Sequence, residues 1–332
     1  MGASLVYLEK PNKEISFESG ENEHLRYVAG EMQGWRINME DAHITNLSFV
    51  KGSKNLALFG VFDGHGGREV AIYTKAHLEQ TIKDNEKFKL EDYKESLRQS
   101  FLEIDKQLEK EPGREEIATM KRQNPPNKAP LFKLLGDISN TASEGGNDNL
   151  MLDSIGCTAN CILIEDMKKL YVANAGDSRC VMARGGKAIP LSYDHKPDND
   201  EEKRRIEKAG SQIVEGRVDG NLNLSRSLGD LKYKQNKELT PEEHPVTANP
   251  DVLEFDLNGD EDFIIMGCDG IWETKSNQEM VDFIYEKIKE GKESQQIVDD
   301  LLNDICSPDY TQTGGVGCDN MTSILIQFQK NK

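Results

Sequence analysis

Carboxylates stand at the ends of apolar runs along this sequence. Leu56 to Phe62 run into Asp63-Gly64, and Phe263 to Cys268 run into Asp269-Gly270. Each run reads as a buried strand that delivers a carboxylate to its end. An ionised carboxylate isolated at the edge of a dry core either costs several kcal/mol or shifts its pKa, so two placed this way demand a cation or a base. Glu40-Asp41 precede Ala42-His43-Ile44, Asp177 follows Leu170 to Gly176, and Asp319-Asn320 precede Met321 to Phe328. Oxygen donors without clustered Cys or His point to hard divalent metals. If the strand ends meet, Asp63, Asp269 and Asp319 converge at one end of a sheet sandwich, with Glu40 alongside. Two divalent ions roughly 3.5–4 Å apart could then share a bridging carboxylate, hold a water between them and clamp a phosphoryl oxygen, which suits in-line attack on phosphorus. Mg²⁺ or Mn²⁺ fits such a shell better than Zn²⁺.

Asp and Gly are also the residues that turns prefer, so any one Asp-Gly pair alone reads as a turn. Recurrence of the pattern, with Glu40-Asp41 and Asp319-Asn320, favours the metal site. Gly64 lets the backbone approach an ion and offer its carbonyl. His65 could protonate a departing alkoxide, the task left once a water has been activated; a turn histidine bonded to a backbone carbonyl is the other reading. Arg36, four residues before Glu40, offers a planar fork matched to two phosphate oxygens, although a lone surface Arg is usually only solvated. Asp177 could bind a further ion or simply close a hairpin turn with an Asx hydrogen bond. Asp230 is assigned no ligand role, and Cys157 and Cys161 read as packed small apolar side chains.

The elements that must position these residues are legible in outline. Strand-like runs dominate three zones, at about 25 to 63, 155 to 195 and 247 to 328. Leu97, Phe101, Ile104 and Leu108 share one face of a helix from about 90 to 110. Ser276 and Glu279 have capping-box spacing before the stripe Val281, Ile284 and Ile288, and the stripe Ile297, Leu301 and Ile305 follows. Asp198 to Gly210 reads as a short charged helix. Residues 111 to 153, with Pro112-Gly113, Pro125-Pro126 and a Gly, Asn and Ser-rich stretch, read as an insertion or long, partly mobile surface loop. The pattern predicts an α+β fold of two packed antiparallel sheets flanked by helices.

The chain has 332 residues and a formal charge of −18, from 59 acidic and 41 basic residues. That balance repels polyphosphate backbones and disfavours nucleic-acid binding, including a metal-dependent nuclease, which would need a basic track. Six cysteines, at 157, 161, 180, 268, 306 and 318, form no CxxC pair and no dense disulfide framework. No run approaches the ~18 apolar residues of a membrane span, and the first residues lack a secretory pattern. The expectation is a soluble intracellular protein, cytoplasmic or nuclear, monomeric by default. Gly2 is a candidate for myristoylation, although Val6 replaces the usual Ser or Thr; a lone acyl chain would give at most weak membrane association.

Together, Arg36 to Asp41, Asp63 to Gly67, Gly156 to Ala159, Gly176 to Arg179, Asp194 to Pro197, Ser225 to Asp230, Asp269 to Trp272 and Asp319 to Met321 occur in the order and rough spacing of the metal-dependent protein phosphatases of type 2C. The resemblance runs from about residue 23 to 328. It implies a β-sandwich flanked by helices on both sides, a single catalytic domain over 23–330 after an N-terminal segment 1–22, and a flap at about 192–225 beside the cleft. It also implies Mn²⁺ or Mg²⁺ at a dinuclear site and phosphoserine or phosphothreonine proteins as substrates. Carried onto this chain, Asp63 bridges the ions, Gly64 binds through its carbonyl, Asp269 and Asp319 complete one ion, and Glu40 serves the other, with Asp41 beside it. Asp177 with Asp269 holds a weaker third ion, Arg36 takes the phosphate, and His65 is the general acid. Cys157 stands where Ser is common in the family. The expected chemistry is hydrolysis by a metal-bridging water without a phosphoenzyme; the alternative is an inactive member that keeps the fold and recruits partners.

Overall fold

A computed structural model describes residues 7–52, 54–124 and 152–329. Two antiparallel sheets face each other. The first has six strands in the order Tyr7–Glu21, Leu25–Arg36, Met321–Phe328, Glu261–Gly267, Arg179–Arg184 and Lys187–Pro190. The second has five, in the order Asp251–Asp256, Lys169–Ala175, Ala159–Glu165, Leu56–Phe62 and Ala42–Val50. Helices Asn277–Lys289 and Ser294–Ile305 lie on the six-stranded sheet, and Glu69–Asp84 and Tyr93–Glu109 on the five-stranded one. The four layers are the expected α+β sandwich.

Burial on both faces explains the unbroken apolar runs. In Leu56–Phe62, Ala57, Phe59 and Val61 enter the core between the sheets, whereas Leu56, Leu58 and Phe62 enter the core under the helices. Successive side chains of a strand alternate, so a strand covered on both sides has no polar face. Complete burial of a side chain such as Phe59 contributes about 1.5–3 kcal/mol. The four stripe residues of Tyr93–Glu109 are all buried. The capping box at Ser276 forms as expected, with Val281 and Ile284 buried, but Ile288 is exposed at the helix end.

Two boundaries differ from the expectation. The segment before residue 23 is not separate: Tyr7–Glu21 pairs with Leu25–Arg36 and forms the sheet edge, with two register irregularities that its mixed polar sequence hides. The region 111–153 opens as a helix, Glu111–Gln123, rather than a loop. Pro112 lies in its first turn, where a missing N–H costs nothing, and Gly113 and Ile117 are buried against the preceding helix. Residues 125–151 of that region, and Gly2, lie outside the described residues.

The connections set up the site. Leu25–Arg36 and Ala42–Val50 belong to different sheets, as do Lys169–Ala175 and Arg179–Arg184. The turns bearing Glu40 and Asp177 therefore cross from sheet to sheet at the end where Leu56–Phe62 and Glu261–Gly267 stop.

Candidate active site

At that end of the sandwich lies a cleft of about 450 Å³ lined by Arg36, Glu40, Asp63, Gly64, His65, Asp177, Asp269 and Asp319, together with Asn223 and Leu224 from the flap region. Eight of the nine residues singled out in the sequence thus meet in one place. Asp41 does not line it. Its buried carboxylate accepts a hydrogen bond from Thr322 Oγ1 at 2.7 Å, and burial raises its pKa to about 7. It forms a second cluster with Asp63 and the Cys268 thiol behind the cleft wall. Glu40 and Asp41 lie in the turn just before Ala42–Val50, and their side chains part there, Glu40 to the cleft and Asp41 inward to Thr322.

Glycine makes the convergence possible at two points. A Cβ on Gly64 would lie 2.2 Å from the Glu40 carbonyl oxygen, and one on Gly270 would lie 2.2 Å from the Asn320 carbonyl oxygen. Any side chain would push these segments apart. Asn320, which the sequence reading left without a role, ties the Glu40 loop down. Its Oδ1 accepts from Glu40 N–H at 2.9 Å, and its Nδ2 donates to the carbonyls of Gln33 and Asn38 at 2.8 and 3.0 Å. Its position directly after Asp319 was the only hint in the sequence.

Asp63, Asp177 and Asp269 each present a carboxylate oxygen within 4.8 Å of the others. Burial, then repulsion from Asp269, Asp41, Asp319 and Asp177, pushes the Asp63 pKa far above the carboxylate range; burial, then Asp177 and Asp319, does the same to Asp269. Burial also raises Asp177, against the Lys196 ammonium, which donates to its Oδ2. Acids this close ionise together only when a cation joins them. The donors are carboxylate and carbonyl oxygens, so the residues present fit a hard divalent ion. Arg36 Nη2 bonds Asp319 Oδ2 at the cleft edge.

His65 is held by a partner the sequence reading missed. Its Nε2 lies 2.6 Å from Asp230 Oδ2, which also accepts from Ser227 Oγ at 2.6 Å. Burial would lower the His65 pKa, but the Asp230 carboxylate outweighs it and the pKa rises. Asp230 moves the other way: burial would raise it, and the imidazolium, Ser227 and Lys234 bring it below its ordinary value. A small sheet of Leu228–Gly229, Gly156–Cys157 and Gly64–His65 brings the two together. Asp177, for its part, is no hairpin residue, because the strands on either side of it lie in different sheets.

Comparisons with known proteins place the chain. Residues 25–314 match the family model described as Protein phosphatase 2C. A probable protein phosphatase 2C 21 of Arabidopsis thaliana is 42% identical over 98% of this chain and 93% of its own, and a probable protein phosphatase 2C 6 of Paramecium tetraurelia is 42% identical over 97% and 99%. In fold, the chain resembles a crystal structure of a phosphatase from Toxoplasma gondii, with a TM-score of 0.69 at 21% identity and 96% coverage of each chain. This chain belongs to the protein phosphatase 2C family and is a metal-dependent phosphoprotein hydrolase.

Proposed function

We propose that the protein removes phosphate from phosphoserine and phosphothreonine by direct attack of water in this cleft, using Mn²⁺ or Mg²⁺. The observation that carries this reading is the convergence of Asp63, Asp177 and Asp269 in one cleft with Glu40, Asp319, Arg36 and His65. Asp63, Asp269 and Asp319 would hold one ion and Asp63 and Glu40 the other, the Gly64 carbonyl would be a further oxygen donor, and Asp177 and Asp269 would serve a third ion. Bound divalent ions would supply an acidified water and neutralise the phosphoryl oxygens.

The remaining steps belong to side chains. The Arg36 guanidinium, reaching into the cleft, orients a phosphate oxygen. His65, kept protonated by Asp230, gives its proton to the serine or threonine oxygen as the bond to phosphorus breaks. Asn223 and Leu224 border the cleft from the flap, where the peptide around the phosphoresidue would lie. A cysteine phosphoenzyme is disfavoured because all six thiols are buried, with burial raising the pKa of each. Nothing in the cleft favours the inactive alternative, since each expected donor type is present.

The test is phosphate release from a phosphothreonine peptide with Mn²⁺, Mg²⁺ or EDTA. Release that needs the ion, and is lost in both Asp63→Ala and Asp269→Ala with the fold retained, is expected. Ion-dependent turnover surviving in both variants would refute the mechanism.

A further inference from the structure

Three consecutive residues clasp the turn that carries Asp177. Asp194 accepts from Arg179 Nε and Nη2 at 2.9 and 2.8 Å, and Lys196 Nζ donates to Asp177 Oδ2. His195, between them and 4% exposed, holds Gly176 by both of its backbone groups. The His195 N–H donates to the Gly176 carbonyl at 3.0 Å, and the Gly176 N–H donates to His195 Nδ1 at 3.2 Å. A backbone amide only donates, so Nδ1 is the bare nitrogen and Nε2 carries the hydrogen. That hydrogen goes to Asp251 Oδ2 at 3.1 Å.

The contacts continue inward from Asp251. Its Oδ1 accepts from Arg226 Nη1 at 2.6 Å, and Arg226 reaches Glu202 Oε1 through Nη2 at 2.7 Å and Nε at 3.1 Å. Glu202 belongs to the charged helix Asp200–Lys208 of the flap region and also meets Ser225 Oγ at 2.6 Å and Arg205 Nη2 at 2.9 Å. Arg226 and Glu202 are 5% and 2% exposed. A buried ion pair is weak as a source of stability, because desolvation consumes most of the attraction. It does fix geometry. Asp177 depends on its surroundings for its geometry: it is repelled by neighbouring carboxylates and joined to its strand by Gly176 at φ +119, a joint with no side chain of its own, whose carbonyl also accepts from Asn174 Nδ2 at 3.2 Å.

We propose that His195 is a positioning residue for Asp177: it sets the Gly176 peptide, and the Asp251–Arg226–Glu202 chain anchors it to the flap helix. The proposal rests on the ion-binding role given to Asp177 above. Groups that orient a ligand from behind typically change metal affinity by roughly 10–100-fold when removed.

Calorimetric titration of the full chain with Mn²⁺ tests this on His195→Ala, His195→Asn, Asp177→Asn and the double variant His195→Ala/Asp177→Asn. The expected result is that Asp177→Asn and His195→Ala both weaken Mn²⁺ binding, the latter by about 10-fold or more. His195→Asn, whose Oδ1 can accept from Gly176, recovers most of that affinity. The double variant binds no more weakly than Asp177→Asn, because His195 acts through Asp177. If His195→Ala does not fold, His195→Gln replaces it, since its amide reaches Asp251 but leaves Gly176 without an acceptor. Losses that add in the double variant, or wild-type affinity in His195→Ala beside a weakened Asp177→Asn, would overturn the positioning role alone. Unchanged binding in Asp177→Asn would remove the ion role of Asp177 and this proposal with it.

Discussion

His65 Nε2 and Asp230 Oδ2 stand 2.6 Å apart although 165 residues separate them in the chain. The carboxylate keeps the imidazole protonated above its ordinary range, against a burial that favours the neutral ring. A general acid works in its protonated form, so activity falls as pH rises through the folded-state pKa of His65. Asp230→Asn removes the stabilising charge and leaves burial in control. The alkaline limb of kcat against pH for a phosphothreonine peptide should move down by about one pH unit or more. An aryl phosphate, whose leaving group needs no proton, should respond less. An alkaline limb that stays in place for the peptide would show that Asp230 does not tune His65.

The cluster of Asp63 and Asp269 predicts an inverted pH dependence of stability in EDTA. Both carboxyls have folded-state pKa values far above their unfolded ones, through burial and then mutual repulsion. Folding then favours the protonated acids, so stability is lost as pH rises from about 4 through the folded-state values. Asp63→Asn keeps the shape and removes the charge; in EDTA at neutral pH it should stabilise the fold by about 1–3 kcal/mol, read by denaturant unfolding. Mn²⁺ should raise the Tm of the wild type markedly and that of Asp63→Asn little. A variant less stable than wild type in EDTA would contradict the repulsion.

How far the sequence could be read follows from the same chemistry. Asp63 and Asp269 were legible because strands buried on both faces are unbroken apolar runs, and a carboxylate after such a run has few bland explanations. Asp230 and Asn320 were not, because each acts on a residue far away in sequence, and no local period links 65 to 230 or 40 to 320. Asp41 is the one candidate that adjacency could not place: next to Glu40 in sequence, it turns away from the cleft lining and joins Asp63 and Cys268 instead. Tyr7–Glu21 and Glu111–Gln123 escaped because an edge strand with exposed polar residues, and a helix opening on Pro112-Gly113, both carry loop-like composition.

Asn320 offers a test of the Glu40 loop that leaves every candidate ligand in place. Its amide is buried and makes three hydrogen bonds, one to the Glu40 N–H and two to carbonyls before Glu40. Asn320→Ala should destabilise the fold by about 2–4 kcal/mol, since it orphans three backbone groups. Asn320→Asp keeps the acceptor for Glu40 N–H but sets a carboxylate against the Gln33 and Asn38 carbonyls, so it should cost about as much. Both should weaken Mn²⁺ binding in calorimetry, because Glu40 loses its fixed approach. Wild-type affinity in a folded Asn320→Ala would place the ions independently of that loop.

Arg36 separates phosphate binding from ion binding. Its Nη2 already bonds Asp319, so the guanidinium, which lines the cleft, competes with any cation for that carboxylate. Removing it should have opposite effects on the two ligands. Arg36→Ala should lower kcat/KM by about 10–100-fold and weaken inhibition by inorganic phosphate, the size expected for one lost charge-assisted contact. Arg36→Lys keeps the charge but not the planar fork and should fall between. Mn²⁺ affinity should stay the same or increase in both, because Asp319 is released. If Mn²⁺ binding instead weakens in step with kcat/KM, Arg36 acts by holding Asp319 in place, and the phosphate must be received by another group in the cleft.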